Sequence, residues 1–425
     1  MAPRSRFPWR GAVVGRYVRH VLKRARHGAA VVLTWAGLIA GLTGCTGEAL
    51  DIGNKPRSPQ ETIRVIPEDG AKGVGPDGPV EVRLPSGRLE RVKVTQVEDD
   101  RPIEVPGSIS EDGLRWNPEP GTRLDLAAKY SVDVVALDGH GRRSARHTTF
   151  TTQVPGRRFI GYFKPENRST VGTGMIVSIS FNREIEDRAA VERAIRITSE
   201  PPVEIAGHWF GGGRLDFRPR EYWKPGTKVT VDLRLRDVQA APGVYGIQQK
   251  TFSFTVGRSQ VSLVDAAAHT MEVRREGGVL AMLPITAGAP KATTYNGKMV
   301  VTEMYDVTRM NGATVGFKKK DGKGEYDIKD VPHAMRLTDS GTFIHGNYWA
   351  APETFGSANV SHGCVGLRDE KGGSADAPAG WFFDRTLIGD VVEVVKSKDK
   401  RVDPANGLGG WNLDWNAWKA GSALH

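Results

Sequence analysis

The sequence predicts a mainly β protein: two tandem β-sandwiches, a third β-rich domain with a short helix, and a tryptophan-rich C-terminal tail. Three observations carry this. Short runs alternate apolar and polar residues with period two, as in Val80-Glu81-Val82-Arg83-Leu84 and Tyr130-Ser131-Val132-Asp133-Val134, the pattern of strands with one buried face. Glycine is abundant, at 51 of 425 residues, and helix-favouring runs are few. The third observation is a repeat. Leu114-Arg115-Trp116-Asn117-Pro118 with Pro120-Gly121-Thr122 returns as Leu215-Asp216-Phe217-Arg218-Pro219 with Pro225-Gly226-Thr227, an offset of about one hundred residues.

The chain begins with a secretory layout. Residues 1–44 read as a signal peptide, with a basic region ending at Lys23-Arg24-Ala25-Arg26 and an apolar run from Ala29 to Leu42. That run is about fourteen residues, short of the roughly twenty needed to span a bilayer. It ends in Leu42-Thr43-Gly44-Cys45, which looks like a bacterial lipobox, so Cys45 is the expected lipidation site and the membrane an expected partner through that lipid. The leader's eight basic residues account for all but +2 of the net charge of +10, so no nucleic-acid partner is expected. Residues 45–62 are polar, with Gly and Pro, and read as a flexible tether.

Residues 63–154 and 155–257 are the two repeat units, each expected as an immunoglobulin-like sandwich. Trp116 and Phe217 are expected in their cores. Neither unit clusters polar residues, so both read as a stalk; His208-Trp209-Phe210 is the stretch that would support glycan binding instead. Residues 258–397 form the third domain. Strands are expected near Val261–Asp265, Met271–Val273, Ala281–Thr286, Lys298–Glu303, Ala334–Leu337, Thr342–His345 and Val391–Val395. The polar stretch between Glu303 and Val331 reads as a long loop or lid, and Trp381-Phe382-Phe383 with Leu387 as a packing helix. Residues 398–425 hold Trp411, Trp415 and Trp418, too much aromatic surface to leave in water, so the tail should dock on the body; the alternative is an aromatic sugar platform.

The chemistry concentrates between Ser340 and Arg368. Cys364 is one of two cysteines, and His345 lies nineteen residues before it. With Cys45 assigned to a lipid, no disulfide is expected and Cys364 stays a free thiol. Acyl transfer by a thiol needs a base and donors for the oxyanion. His345 can be the base, and the amides of Gly363 and Cys364 can be the donors. His362 is also near in sequence. A ring two positions before a cysteine on a tight turn tends to point away from the thiol, so His362 and Ser361 are expected to support the turn. No metal-site spacing, P-loop or dinucleotide fingerprint appears, and no cofactor is implied.

Phe343-Ile344-His345, then fifteen residues, then Ser361-His362-Gly363-Cys364-Val365 resembles the signature of the L,D-transpeptidases, bacterial cell-wall cross-linking enzymes with a YkuD-type catalytic domain. A papain-like peptidase would place the cysteine first, and a sortase needs a longer gap. The chain departs from the family pattern in two places. Gly366 stands where the motif usually has asparagine, and no Pro-Thr-Pro precedes Asn296-Gly297. The resemblance implies peptidoglycan stem peptides as donor and acceptor, a lid carrying Met310 and Tyr326, and carbapenem β-lactams as inhibitors. It implies that the Gly346 carbonyl orients His345, glycine being tolerated there because the contact is main-chain. It groups Ser340, Gly341, Ser361, His362 and Gly366 with Met310 and Tyr326 around the substrate, and packs the tail between stalk and catalytic domain. A decayed, non-catalytic or hydrolytic wall-binding lipoprotein is the alternative reading.

Overall fold

The computed structural model describes residues 63–97 and 102–424. The expected signal peptide, the lipidation site Cys45 and the whole of the tether lie outside the described residues.

Two β-sandwiches come first, and the repeat seen in the sequence is a repeat of topology. In the first, strands Arg64–Ile66, Glu81–Arg83, Arg115–Pro118 and Gly107–Ile109 form one sheet; Ala71–Val74, Arg143–Thr152, Lys129–Leu137, Arg88–Gln96 and Ile103–Glu104 form the other. In the second, Gly161–Lys164, Val177–Phe181, Arg214–Pro219 and Ile205–Phe210 face Thr170–Val171, Gln249–Val256, Lys228–Arg234 and Ile195–Glu200, in the same order. Period-two alternation sends one face of each strand inward, as in Lys129–Leu137, whose residues alternate buried and half-buried. Trp116 and Phe217 both lie in these cores.

The third domain is one nine-stranded sheet. Its order is Gly297–Val300, Val391–Val395, Gln260–Asp265, Thr270–Arg275, Gly278–Thr286, Val365–Arg368, Phe343–Asn347, Asp327–Arg336 and Glu303–Asn311. A core of Met271, Val273, Ile285, Met335, Ile344, Val365 and Phe382 fixes the middle strands. The helix spans only Pro378–Phe383, with proline in its first turn, where the missing N–H costs nothing, and Leu387 lies beyond it. The expected loop from Glu303 to Val331 is instead largely a hairpin, Glu303–Asn311 against Asp327–Arg336, tipped by a 3-10 turn at Gly312–Val315. Neither face of Glu303–Asn311 is well buried, so its residues do not alternate in polarity and the strand leaves no periodic signal.

The tail docks. Trp418 is fully buried and donates Nε1–H to the Ala206 carbonyl at 2.9 Å, while Trp411 donates to the Gly174 carbonyl at 2.8 Å. The Arg218 guanidinium lies 4.5–5.5 Å from the rings of Trp411, Trp415 and Trp418. Asn412 exchanges two hydrogen bonds with the main chain of Lys298 in the third domain, so the tail touches both bodies. The stretch considered for glycan binding is this dock: Trp209 is buried, and His208 stacks on Trp418 and donates to its carbonyl at 2.8 Å.

Candidate active site

His345 and Cys364 come together because two parallel strands are neighbours. Phe343–Asn347 pairs with Val365–Arg368, His345 opposite Gly366, and the cysteine immediately precedes the second strand. Parallel neighbours cannot be joined by a hairpin, which is why the motif carries a long intervening segment. Both side chains line one cavity of about 330 Å³ together with Met310, Tyr326, Asn347, Trp349, Ser361 and His362.

His345 is 5% exposed, and its Nδ1 lies 3.0 Å from the Gly346 carbonyl. A carbonyl only accepts, so Nδ1 carries the proton and Nε2 keeps a lone pair. Burial lowers the ring's pKa below its ordinary value, opposed in part by the bond to Gly346. Trp349 stacks on the imidazole with centroids 5.5 Å apart. Cys364 is 8% exposed, its Sγ 3.6 Å from the Gly341 carbonyl, and burial pushes the thiol up to about 11. At rest the thiol is therefore neutral and donates to the Gly341 carbonyl, and the imidazole is neutral with Nε2 unprotonated.

The turn before the strand is braced by Ser361, whose hydroxyl donates to the Cys364 carbonyl at 2.5 Å and accepts from the Gly363 amide at 3.2 Å. Gly363 has φ +108°, a conformation that favours glycine. The Gly363 amide is thus engaged by Ser361 at rest, whereas the Cys364 N–H has no hydrogen-bond partner among the described residues. His362 turns from the thiol toward the hairpin: it packs on Tyr326 and Phe317, with Nε2 3.5 Å from the Glu325 carboxylate. Met310 and Tyr326 face the cavity from the two sides of the hairpin, and burial pushes the Tyr326 hydroxyl up to about 12. Gly341 offers its carbonyl to the thiol.

Two expected residues lie elsewhere. Ser340 is exposed and belongs to the tail dock: its N–H donates to Asn406 Oδ1 at 3.0 Å and its Oγ accepts from Asn406 Nδ2 at 2.8 Å. Gly366 is buried behind the cavity, where an added Cβ would stand 2.8 Å from Thr286 Cγ2 and 3.3 Å from Asn347 Nδ2. Gly346 proves to be more than tolerated. A Cβ there would come 2.1 Å from Asp369 Oδ2. Asp369 bonds His333 Nδ1 at 2.7 Å and accepts from the amides of Glu370 and Ser374 at 2.8 and 3.0 Å. Sequence reasoning missed Asn347, Trp349, Asp369 and His333. Strand alternation from His345 pointed to Asn347, two residues on; nothing short-range pointed to Asp369.

The chain is similar to known proteins over most of its length. A family model described as "L,D-transpeptidase catalytic domain" matches residues 259–394, and one described as "Bacterial Ig domain" matches residues 71–239. L,D-transpeptidase 2 of Mycobacterium tuberculosis is 35% identical over 356 residues, covering 84% of this chain and 83% of the relative. L,D-transpeptidase 5 of the same species is 30% identical over 390 residues, covering 90% and 82%. The solved structure of "LD transpeptidase LdtMt1 in complex with imipenem" is 30% identical, covering 57% of this chain and 100% of that one, with a TM-score of 0.46.

Proposed function

The chain belongs to the L,D-transpeptidase family, and from that premise we propose that it forms 3→3 cross-links between peptidoglycan stem peptides through a Cys364 acyl-enzyme. His345 Nε2 takes the Sγ proton as sulfur attacks the carbonyl carbon of the donor's third residue. The C–N bond breaks, and the terminal D-alanine leaves with that proton on its amine, leaving a thioester. The acceptor amine then attacks the thioester and passes a proton to His345. The C–S bond breaks, and the thiolate recovers its proton. The Cys364 amide is the first oxyanion donor; the Gly363 amide joins it when it lets go of Ser361.

One observation carries the reading: a free thiol and an imidazole whose Nδ1 is occupied, and whose Nε2 is therefore basic, line one cavity. Incubating residues 46–425 with isolated stem peptides and analysing the products by mass spectrometry tests it. Cross-linked dimers that disappear in Cys364→Ala are expected; dimers made equally by that variant would sink the reading. The same thiol is the proposed target of carbapenems, in keeping with the imipenem complex of a relative, and intact mass would show an adduct lost in Cys364→Ala.

We further propose that the two sandwiches are a stalk and that lipidation of Cys45 anchors the enzyme to the outer face of the cell membrane. The support is the basic and apolar leader ending in Leu42-Thr43-Gly44-Cys45. No helix among the described residues is long and apolar enough to cross a membrane.

A further inference from the structure

One polar side chain in the cavity has no task in the chemistry above. Asn347 is 4% exposed, lies two residues beyond His345 on the same strand face, and lines the cavity that holds Cys364. Its Oδ1 accepts from the Ala350 N–H at 3.0 Å. A backbone N–H can only donate, so this bond settles the carboxamide's orientation: oxygen toward Ala350, NH₂ the other way. Among the described residues Nδ2 has no hydrogen-bond partner. Nδ2 is thus open to the cavity, where an incoming acceptor can replace water. Gly366 on the neighbouring strand makes the room, since a Cβ there would stand 3.3 Å from Nδ2.

The acceptor's chemistry follows from the lining. No Arg or Lys lines this cavity, and His345 is held neutral by burial, so nothing there favours a carboxylate. A neutral amide NH₂ in such surroundings suits a neutral peptide carbonyl. We propose that Asn347 Nδ2 donates a hydrogen bond to a main-chain carbonyl of the acyl-donor peptide and holds it beside Cys364. The inference rests on the transpeptidase reading above. The contact is made before and during attack alike, so its loss falls on KM and not on kcat.

The experiment uses the soluble chain, a stem tetrapeptide ending in D-alanine as donor, and iodoacetamide as a small probe of the Cys364 thiol. Asn347→Ala should raise the donor KM about tenfold, kcat staying within about twofold. The pH profile of thiol alkylation should not move, which separates substrate binding from a structural effect on His345. Asn347→Asp keeps the shape and the bond to Ala350; at pH 9, ionised, it cannot donate and should lose donor affinity at least as much. This second variant decides the matter if Asn347→Ala fails to fold. An unchanged KM in the folded variants, or a loss matched by a shifted alkylation profile, overturns the inference. If the unaltered chain is not acylated by the tetrapeptide at all, the transpeptidase reading falls and this inference with it; normal acylation of parent and variants alike sinks only the role of Asn347.

Discussion

Replacing Gly346 by alanine adds one methyl group, and the structure says where it goes. The new Cβ would stand 2.1 Å from Asp369 Oδ2 and 2.9 Å from both Asp369 Cβ and Cγ. Relief has two routes. Asp369 can rotate away, giving up His333 and the amides of Glu370 and Ser374. Leaving a buried, hydrogen-bonded carboxyl without its partners costs about 1–3 kcal/mol, and three hydrogen bonds are at stake. Alternatively the strand shifts, which moves the Gly346 carbonyl off His345 Nδ1 and frees the ring to turn. Overpacking of this kind costs about 1–3 kcal/mol in stability, with the larger penalty in catalysis. We expect local destabilisation of about 3 kcal/mol together with at least a tenfold loss in Cys364 acylation. Hydrogen exchange of the peptide spanning Phe343 to Asp369, read by mass spectrometry, measures the local opening free energy without assuming two-state unfolding of several domains. Asp369→Ala removes the closest obstacle. The double variant should therefore be less damaged than the sum of the singles by about 2 kcal/mol. Gly346→Ala with exchange within about 0.5 kcal/mol of the parent and unchanged acylation would refute the reasoning, and so would strict additivity.

Other expectations concern pH and the tail. Because burial raises the Cys364 thiol to about 11, thiolate is scarce at neutral pH; alkylation by iodoacetamide should climb as pH rises from 9 to 11, and a plateau near pH 7 would show a preformed ion pair instead. Burial depresses the His345 pKa, so the imidazole stays a neutral base below the usual histidine range, and the acid limb of acylation should lie below pH 6.5, visible in kcat/KM against pH. Trp418→Ala removes a fully buried ring and leaves the Ala206 carbonyl and a face of Arg218 without their partner. A loss of about 3–5 kcal/mol is expected, read as a lower melting temperature and faster proteolysis near Leu413, with an unchanged melting temperature as the contrary result.

Much of this was legible in the sequence for physical reasons. Period-two alternation marks strands with one wetter face, which is why Tyr130–Val134 reads clearly, whereas Val391–Val395 reads as a short apolar run of β-branched residues. A long gap between His345 and Cys364 suits neighbouring parallel strands, and the aromatic tail had to be buried somewhere. What escaped lacks a local signature. The strand Glu303–Asn311 is half solvated on both faces, and so is the start of its partner up to Asp330, so the pattern there is flat. Gly346 with Asp369, and Gly366 with Asn347, are pairs in which one strand's glycine makes room for a polar side chain arriving from elsewhere in the sheet. Read alone, Gly346 is merely tolerated and Gly366 is a missing asparagine. Only register shows that both spaces are filled.

The docked tail also sets an order of events. Trp411 bonds Gly174 across 237 positions, and Trp418 bonds Ala206 across 212. Both tryptophans follow the catalytic sheet in the chain, so the slot on the second sandwich stands open through synthesis of everything between. Domains that fold as they emerge can assemble both sandwiches and the nine-stranded sheet before that slot is filled. The junction therefore closes only after the catalytic sheet has been made. A chain that stops short of Trp411 would keep every strand of the catalytic sheet yet leave an aromatic-binding groove on the second sandwich unfilled.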